Sequence, residues 1–136
     1  MTRLGPVPAV LALVVTAGLT VSTVAPALAA EPSSARGARS FEVVGSGDGA
    51  RYGICKEPEG AGWRVFARVD NRGSKIAHRG VLRNAAGTSR TFRAAPGRLS
   101  PVRSVHAARG SRVDYVLAAA QSGGGGQVRL TEMRRC

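Results

Sequence analysis

Hydrophobic and polar positions alternate most cleanly between Trp63 and Asp70. Trp63, Val65, Ala67 and Val69 fall on one side of an extended chain, while Arg64, Arg68 and Asp70 fall on the other. A period of two residues is the mark of a strand with one face buried. Arg112 to Ala119 repeats the pattern, with Val113, Tyr115 and Leu117 opposite Arg112 and Asp114, although Val116 makes the second side less polar. Shorter stretches of the same character run over Phe41 to Val44, Tyr52 to Lys56, His78 to Arg83, Thr88 to Ala94, Val102 to Ala107 and Gln127 to Met133. The aromatic residues Phe41, Tyr52, Trp63, Phe66, Phe92 and Tyr115 all lie inside these stretches.

Between them stand residues with turn chemistry: Gly45 to Gly49, Asp70 to Gly73, Asn84 to Gly87, Pro96-Gly97, Arg109-Gly110 and Ser122 to Gly126. No amphipathic helix is visible beyond residue 30. Seven or eight short strands at roughly ten-residue spacing predict an antiparallel β-sandwich of immunoglobulin-like proportions. A small β-barrel is the alternative.

The first thirty residues read differently. Arg3 precedes an uncharged apolar run from Ala9 to Val24, and Ala27-Leu28-Ala29 places small residues at a cleavage site. This order predicts a secretory signal peptide over residues 1–30, cut after Ala29 or Ala30. Pro6, Pro8, Gly18 and Pro26 interrupt or flank the run, and no basic stop-transfer cluster follows, so no stable membrane span is expected once the signal is cut. The first cysteine is Cys55, which leaves no lipid-attachment residue at the cut. Residues 31–40, rich in Pro, Ser, Gly and Arg, are expected to form a disordered leader, and 41–136 the folded domain. The expected location is secreted, extracellular.

Length and composition narrow the classes further. A chain of 136 residues holds one domain and excludes multidomain enzymes and large cofactor folds. Leu, Ile, Val and Phe make up fewer than a fifth of the residues after position 30, a thin core for a strongly basic chain. Two cysteines in an exported protein offer one compensation. Pairing Cys55 with Cys136 would staple the second strand to the end of the sequence and contribute on the order of 4 kcal/mol by loop-closure entropy. Free thiols or an intermolecular bond are the alternatives, and neither cysteine stands in a redox or zinc spacing.

Catalytic chemistry has few candidates. Ser104 and His106 would share a strand face about 7 Å apart, too far for a nucleophile and its base, with Asp114 as the nearest available carboxylate in type. No nucleophile elbow surrounds any serine. His78 and His106 lack a third metal ligand. Neither glycine-rich stretch is followed by Lys-Ser/Thr or a helix start, Asp48 alone makes no calcium loop, and Gly123 to Gly126 reads as a flexible hairpin connection. No enzyme, cofactor or metal is expected.

Charge is the informative signal. The formal net charge is +12, and all but two of the 20 basic residues are arginine. Alternation directs many of them outward: Arg64 and Arg68 share a strand face, and Arg79, Arg83, Arg90, Arg93, Arg103 and Arg112 are expected to extend it into a cationic sheet surface. Guanidinium forks bind phosphate and carboxylate bidentately, so such a surface suits a polyanion. The competing explanation is solubility and edge protection of a β protein. Phe66 lies between Arg64 and Arg68, and Phe92 between Arg90 and Arg93, an interleaving also used for nucleic acid.

Signal, glycine-rich turns, arginine excess, the run Trp63-Arg64-Val65-Phe66-Ala67-Arg68-Val69-Asp70-Asn71 and Cys136 together resemble the small exported single-disulfide β-sandwich proteins of actinobacterial type. That group has no assigned activity, and the resemblance implies an exported sandwich in a bacterial envelope. The expected function is non-enzymatic binding of an anionic wall polymer through the arginine face. The rival is a protein-binding module, such as a protease inhibitor or competition factor, docking an unidentified protein through loops 70–74 or 95–101.

Overall fold

The computed structural model describes residues 38–136, so the signal segment and residues 31–37 of the leader lie outside the described residues. Eight strands follow one another: β1 Glu42–Gly47, β2 Ala50–Glu59, β3 Gly62–Asp70, β4 His78–Asn84, β5 Ser89–Ala94, β6 Arg103–Ala108, β7 Arg112–Ala118 and β8 Gly123–Arg129. They form two four-stranded antiparallel sheets, ordered β1-β2-β3-β6 and β5-β4-β7-β8. This is the expected sandwich, and neither sheet closes into a barrel. Hairpins β1–β2, β2–β3, β4–β5 and β7–β8 each stay within one sheet, and the chain crosses between sheets after β3, β5 and β6. Among the described residues no helix is long and apolar enough to cross a membrane.

The core lies where the inward positions of the two sheets meet. Tyr52, Ile54, Val65, Ala67, Val69 and Val105 come from the first sheet, and Leu82, Phe92, Val113 and Leu117 from the second. Tyr52 carries the largest buried side chain, and its ring stacks between Phe92 and Tyr115, with centroids 5.7 and 5.1 Å away. A buried phenol needs an acceptor, and its hydroxyl donates to the Val81 carbonyl at 2.8 Å. Burial, reinforced by Tyr115, pushes its pKa above the ordinary tyrosine range.

Trp63, expected at the core face, is only half-buried at the end of its strand. The Lys56 ammonium lies 4.5 Å from its ring centre and the Arg135 guanidinium 5.5 Å.

Two glycine stretches depart from expectation. Gly45 to Gly49 is not all turn: β1 runs through Gly47, and only Asp48 and Gly49, with φ of 49° and 79°, make the reversal. Two successive positive φ values are what a two-residue hairpin requires, and Asp-Gly supplies them cheaply. Gly123 to Gly126 is not a flexible connection but most of β8. Gly125 is fixed by close approach, since a Cβ there would lie 2.4 Å from the Tyr115 carbonyl oxygen. The turn falls earlier, where the Ala119 amide donates to the Ser122 carbonyl at 2.7 Å. The last strand therefore starts four residues before the expected one, and Leu130 and Met133 plug the core beyond its end.

The disulfide joins Cys55 to Cys136, with Cα atoms 4.9 Å apart and a sequence separation of 81. It fastens a short segment that completes the free part of the β2 edge: the Lys56 amide donates to Arg134 and the Cys136 amide to Lys56. The Lys56 side chain turns inward and donates to the Leu130 carbonyl. Burial and the neighbouring Arg135 lower the pKa of its ammonium.

Candidate functional site

The ladder registers place every arginine of the expected cationic surface, and they divide it. Arg64 and Arg68 share the outer face of the first sheet with Glu57 and Asp70, opposite residues in the β2–β3 pairing being Glu57 for Arg64 and Gly53 for Arg68. Arg79, Arg83, Arg93 and Arg112 lie on the outer face of the second sheet, on the other side of the molecule. Arg90 and Arg103 occupy core-facing register positions, opposite Leu82 and Ala67, but stand at the starts of the edge strands β5 and β6, where both are exposed. The single surface expected from alternation is thus two faces and two rim positions. Alternation fixes which side of its own strand a residue occupies; it says nothing about which sheet the strand joins.

The two faces differ chemically. On and beside the first sheet, most positive charge is already engaged; the exception is Arg51, exposed on β2 across from Asp70. Arg64 pairs with Glu59, Arg72 with Asp70 at 2.7 Å, and Arg39 with Glu57 at 2.9 Å. The Arg39 guanidinium also covers the Phe66 ring at 4.0 Å, and that of Arg68 covers Phe41 at 4.3 Å. These stacked pairs explain how Phe66, on the outer side of β3, is nonetheless buried. Hydrogen bonds from Arg72 hold the Asp70 carboxyl down to about 2.

On the second sheet, positive charge is largely unopposed. Arg79 stands directly across from Arg93 in the β4–β5 ladder, and Arg112 across from Arg129 in the β7–β8 ladder. Arg83 lies across from Asp114, the one carboxylate on this face. The side chains of Arg79, Arg83, Arg93, Arg112 and Arg129 make no ion pair or hydrogen bond among the described residues. Between them lie small or uncharged groups: Thr91, Val81, Val116, Ala118, Gln127 and the β8 glycines. Like charges directly opposed on a sheet destabilise it by a few tenths of a kcal/mol or more per pair. Arg129 was not among the residues expected here, although it lies within the expected strand from Gln127 to Met133, where its alternation with Val128 marks it.

The other candidate constellations do not assemble. Ser104 and His106 lie on the outer face of the first sheet and Asp114 on that of the second. His78 is buried on the inner side of β4, with Nδ1 3.2 Å from the Ile76 carbonyl, in the sheet opposite that of His106. No cluster of three His, Cys, Asp or Glu side chains suited to a metal ion occurs among the described residues. The aromatic rings interleaved with arginine are buried, Phe66 beneath Arg39 and Phe92 within the core, so neither offers an open stacking surface for a base.

The two loops of the rival reading meet at one end of the sandwich, tied by Asn71. Its side-chain amide donates to the carbonyls of Ile76 at 2.8 Å, Ala94 at 3.2 Å and Ala95 at 3.0 Å, and its main chain bonds Arg98, Ser74 and Gly97. Leu99 and Ile76 are exposed there.

No protein-family model, curated protein or solved structure matches the chain.

Proposed function

We propose that this chain is an exported, non-enzymatic β-sandwich that binds an anionic polymer of the cell envelope through the outer face of its second sheet. One observation carries the reading: five exposed arginines, two pairs of them directly opposed, share that face with a single carboxylate. A surface built only for solubility gains nothing from opposing arginines, whereas a polyanion relieves the repulsion and is gripped by planar forks that match its oxygens. The Cys55–Cys136 disulfide supports the oxidising setting that the signal-like first thirty residues imply. The first sheet, with its outer arginines other than Arg51 paired or stacked, contributes less.

The test is retention of the signal-free protein on an envelope fraction, before and after removal of phosphate-bearing polymers. Salt is raised from about 0.05 to 0.5 M, which shortens the screening length from about 14 to 4 Å. Retention that falls steeply with salt and with polymer removal supports the proposal. Retention indifferent to both contradicts it.

A second reading has its own observation. Loops 70–74 and 95–101 are tied into one tip by Asn71, the kind of pre-organisation a loop-docking protein binder needs. That reading expects a shallow salt dependence and loss of binding on changing Leu99 or Ile76.

A further inference from the structure

Arg79 and Arg93 do more than sit on a charged face. They stand at a cleft of about 1100 Å³, walled by Ile76 and Ala77 from the β3–β4 loop and by Ala119 to Ser122 from the β7–β8 turn. Directly opposed residues hold their Cβ atoms about 4.5–5.5 Å apart, so two guanidinium forks on this pair are long enough to reach a common point. On the other flank of Arg79 the ladder partner is Ala118, whose methyl leaves the space beside the pair open. The cleft's one carboxylate, Asp48, accepts a hydrogen bond from the Ser122 hydroxyl and pairs with neither arginine. Thr91 and Gln121 add a hydroxyl and an amide to the lining, and Ile76, 46% exposed, adds an apolar wall.

We propose that this cleft is a discrete binding site for a phosphate group carried on a polyol or sugar. A planar carboxylate satisfies one fork, whereas a tetrahedral phosphate presents enough oxygens to accept from both Arg79 and Arg93 at once. Thr91 and Gln121 then meet the hydroxyls of the carrier, and Ile76 its carbon skeleton. The inference rests on the polyanion reading of this face and adds to it a single saturable point of attachment. A phosphodiester within a polymer and a free phosphate ester share the required chemistry.

The experiment is titration of the folded, signal-free protein with glycerol 3-phosphate, with a synthetic glycerol-phosphate hexamer and with hexaglutamate, followed by amide NMR and calorimetry. It is repeated on the double variants Arg79→Gln/Arg93→Gln and Arg83→Gln/Arg112→Gln, after confirming that both melt as the parent does. The expected result is one-site saturation by a phosphate ligand with shifts centred on Thr91 and Gln121. The first double variant should lose at least about tenfold per arginine, and the second less than about threefold with the monoester. Saturation by the hexamer alone assigns the site to polymer, and saturation by the monoester as well extends it to free esters; both outcomes support it. Equal losses in the two variants, or hexaglutamate binding as tightly as the hexamer, overturn the discrete site while leaving the polyanion face intact. Absence of phosphate binding together with salt-sensitive envelope retention does the same, and absence of both overturns the face and the site together.

Discussion

Asn71 offers a sharp test of how the two crossover loops are held. It is fully buried, and its side-chain NH2 serves three carbonyls, those of Ile76, Ala94 and Ala95. Asn71→Asp keeps the shape and replaces that donor with an oxygen. At neutral pH the variant places a buried carboxylate against three carbonyl dipoles. Lost hydrogen bonds at about 1 kcal/mol each, with the burial of an unpaired charge, give a cost of about 3–5 kcal/mol. Protonation restores one donor. The folded-state pKa of the new carboxyl is therefore raised above its unfolded value near 3.9, so the variant's stability falls as pH rises from about 4. Asn71→Ala loses the same bonds without adding a charge, about 2–4 kcal/mol, and serves as the reference that removes the pH dependence of every other group. Urea unfolding of both variants near pH 4 and near pH 7, followed by Trp63 fluorescence, measures the difference. Asp above Ala in stability at the lower pH and below it at the higher is the expected crossing. A difference that does not move with pH refutes the donor role assigned to Asn71.

Three further outcomes follow from the same geometry. Cys136→Ser, or reduction of the native protein, should lower stability by about 4 kcal/mol from loop-closure entropy, read as a drop in melting temperature; an unchanged melting temperature contradicts the staple. Gly125→Ala drives a methyl against the Tyr115 carbonyl oxygen and should cost about 1–3 kcal/mol, whereas Gly124→Ala enters open space and should be neutral or stabilise by up to about 1 kcal/mol; equal effects in thermal melts would show that β8 is not packed as described. Asp70, held down to about 2 by Arg72, contributes stability that is present above about pH 4 and lost as pH falls toward 2. Because Arg72 is largely exposed to screening solvent this amounts to less than about 1 kcal/mol, and Arg72→Gln should flatten that acid limb in pH-dependent unfolding.

The strands were legible wherever alternation was strong. Trp63 to Asp70 and Arg112 to Ala119 match β3 and β7 to within a residue, since a period of two with one apolar face has few other solutions. The disulfide was legible because two cysteines allow one intramolecular pairing. Of β8 only the part from Gln127 to Arg129 was: the glycines before it carry no hydrophobic signal, and what places Gly125 in a strand is the approach of Tyr115, a tertiary contact invisible along the chain. Sheet membership was hidden for a related reason. Arg64 and Arg79 obey the same local rule and end on opposite sides of the sandwich because the chain crosses between sheets after β3. Nor could the sequence reveal that Arg39, assigned to a leader, stacks on Phe66 and pairs with Glu57. That contact engages charge on one face and leaves the other face open.

Binding of the proposed anionic polymer by the second sheet's arginines, and not by basic charge in general, is open to direct measurement. Its most direct measurement compares envelope retention across the salt series for two equal charge removals: Arg79→Gln/Arg83→Gln/Arg93→Gln/Arg112→Gln on the second sheet, and Arg51→Gln/Arg64→Gln/Arg68→Gln/Arg72→Gln on the first. Retention should collapse even at low salt in the first variant and survive in the second. Equal weakening of both contradicts it, because net charge would then suffice.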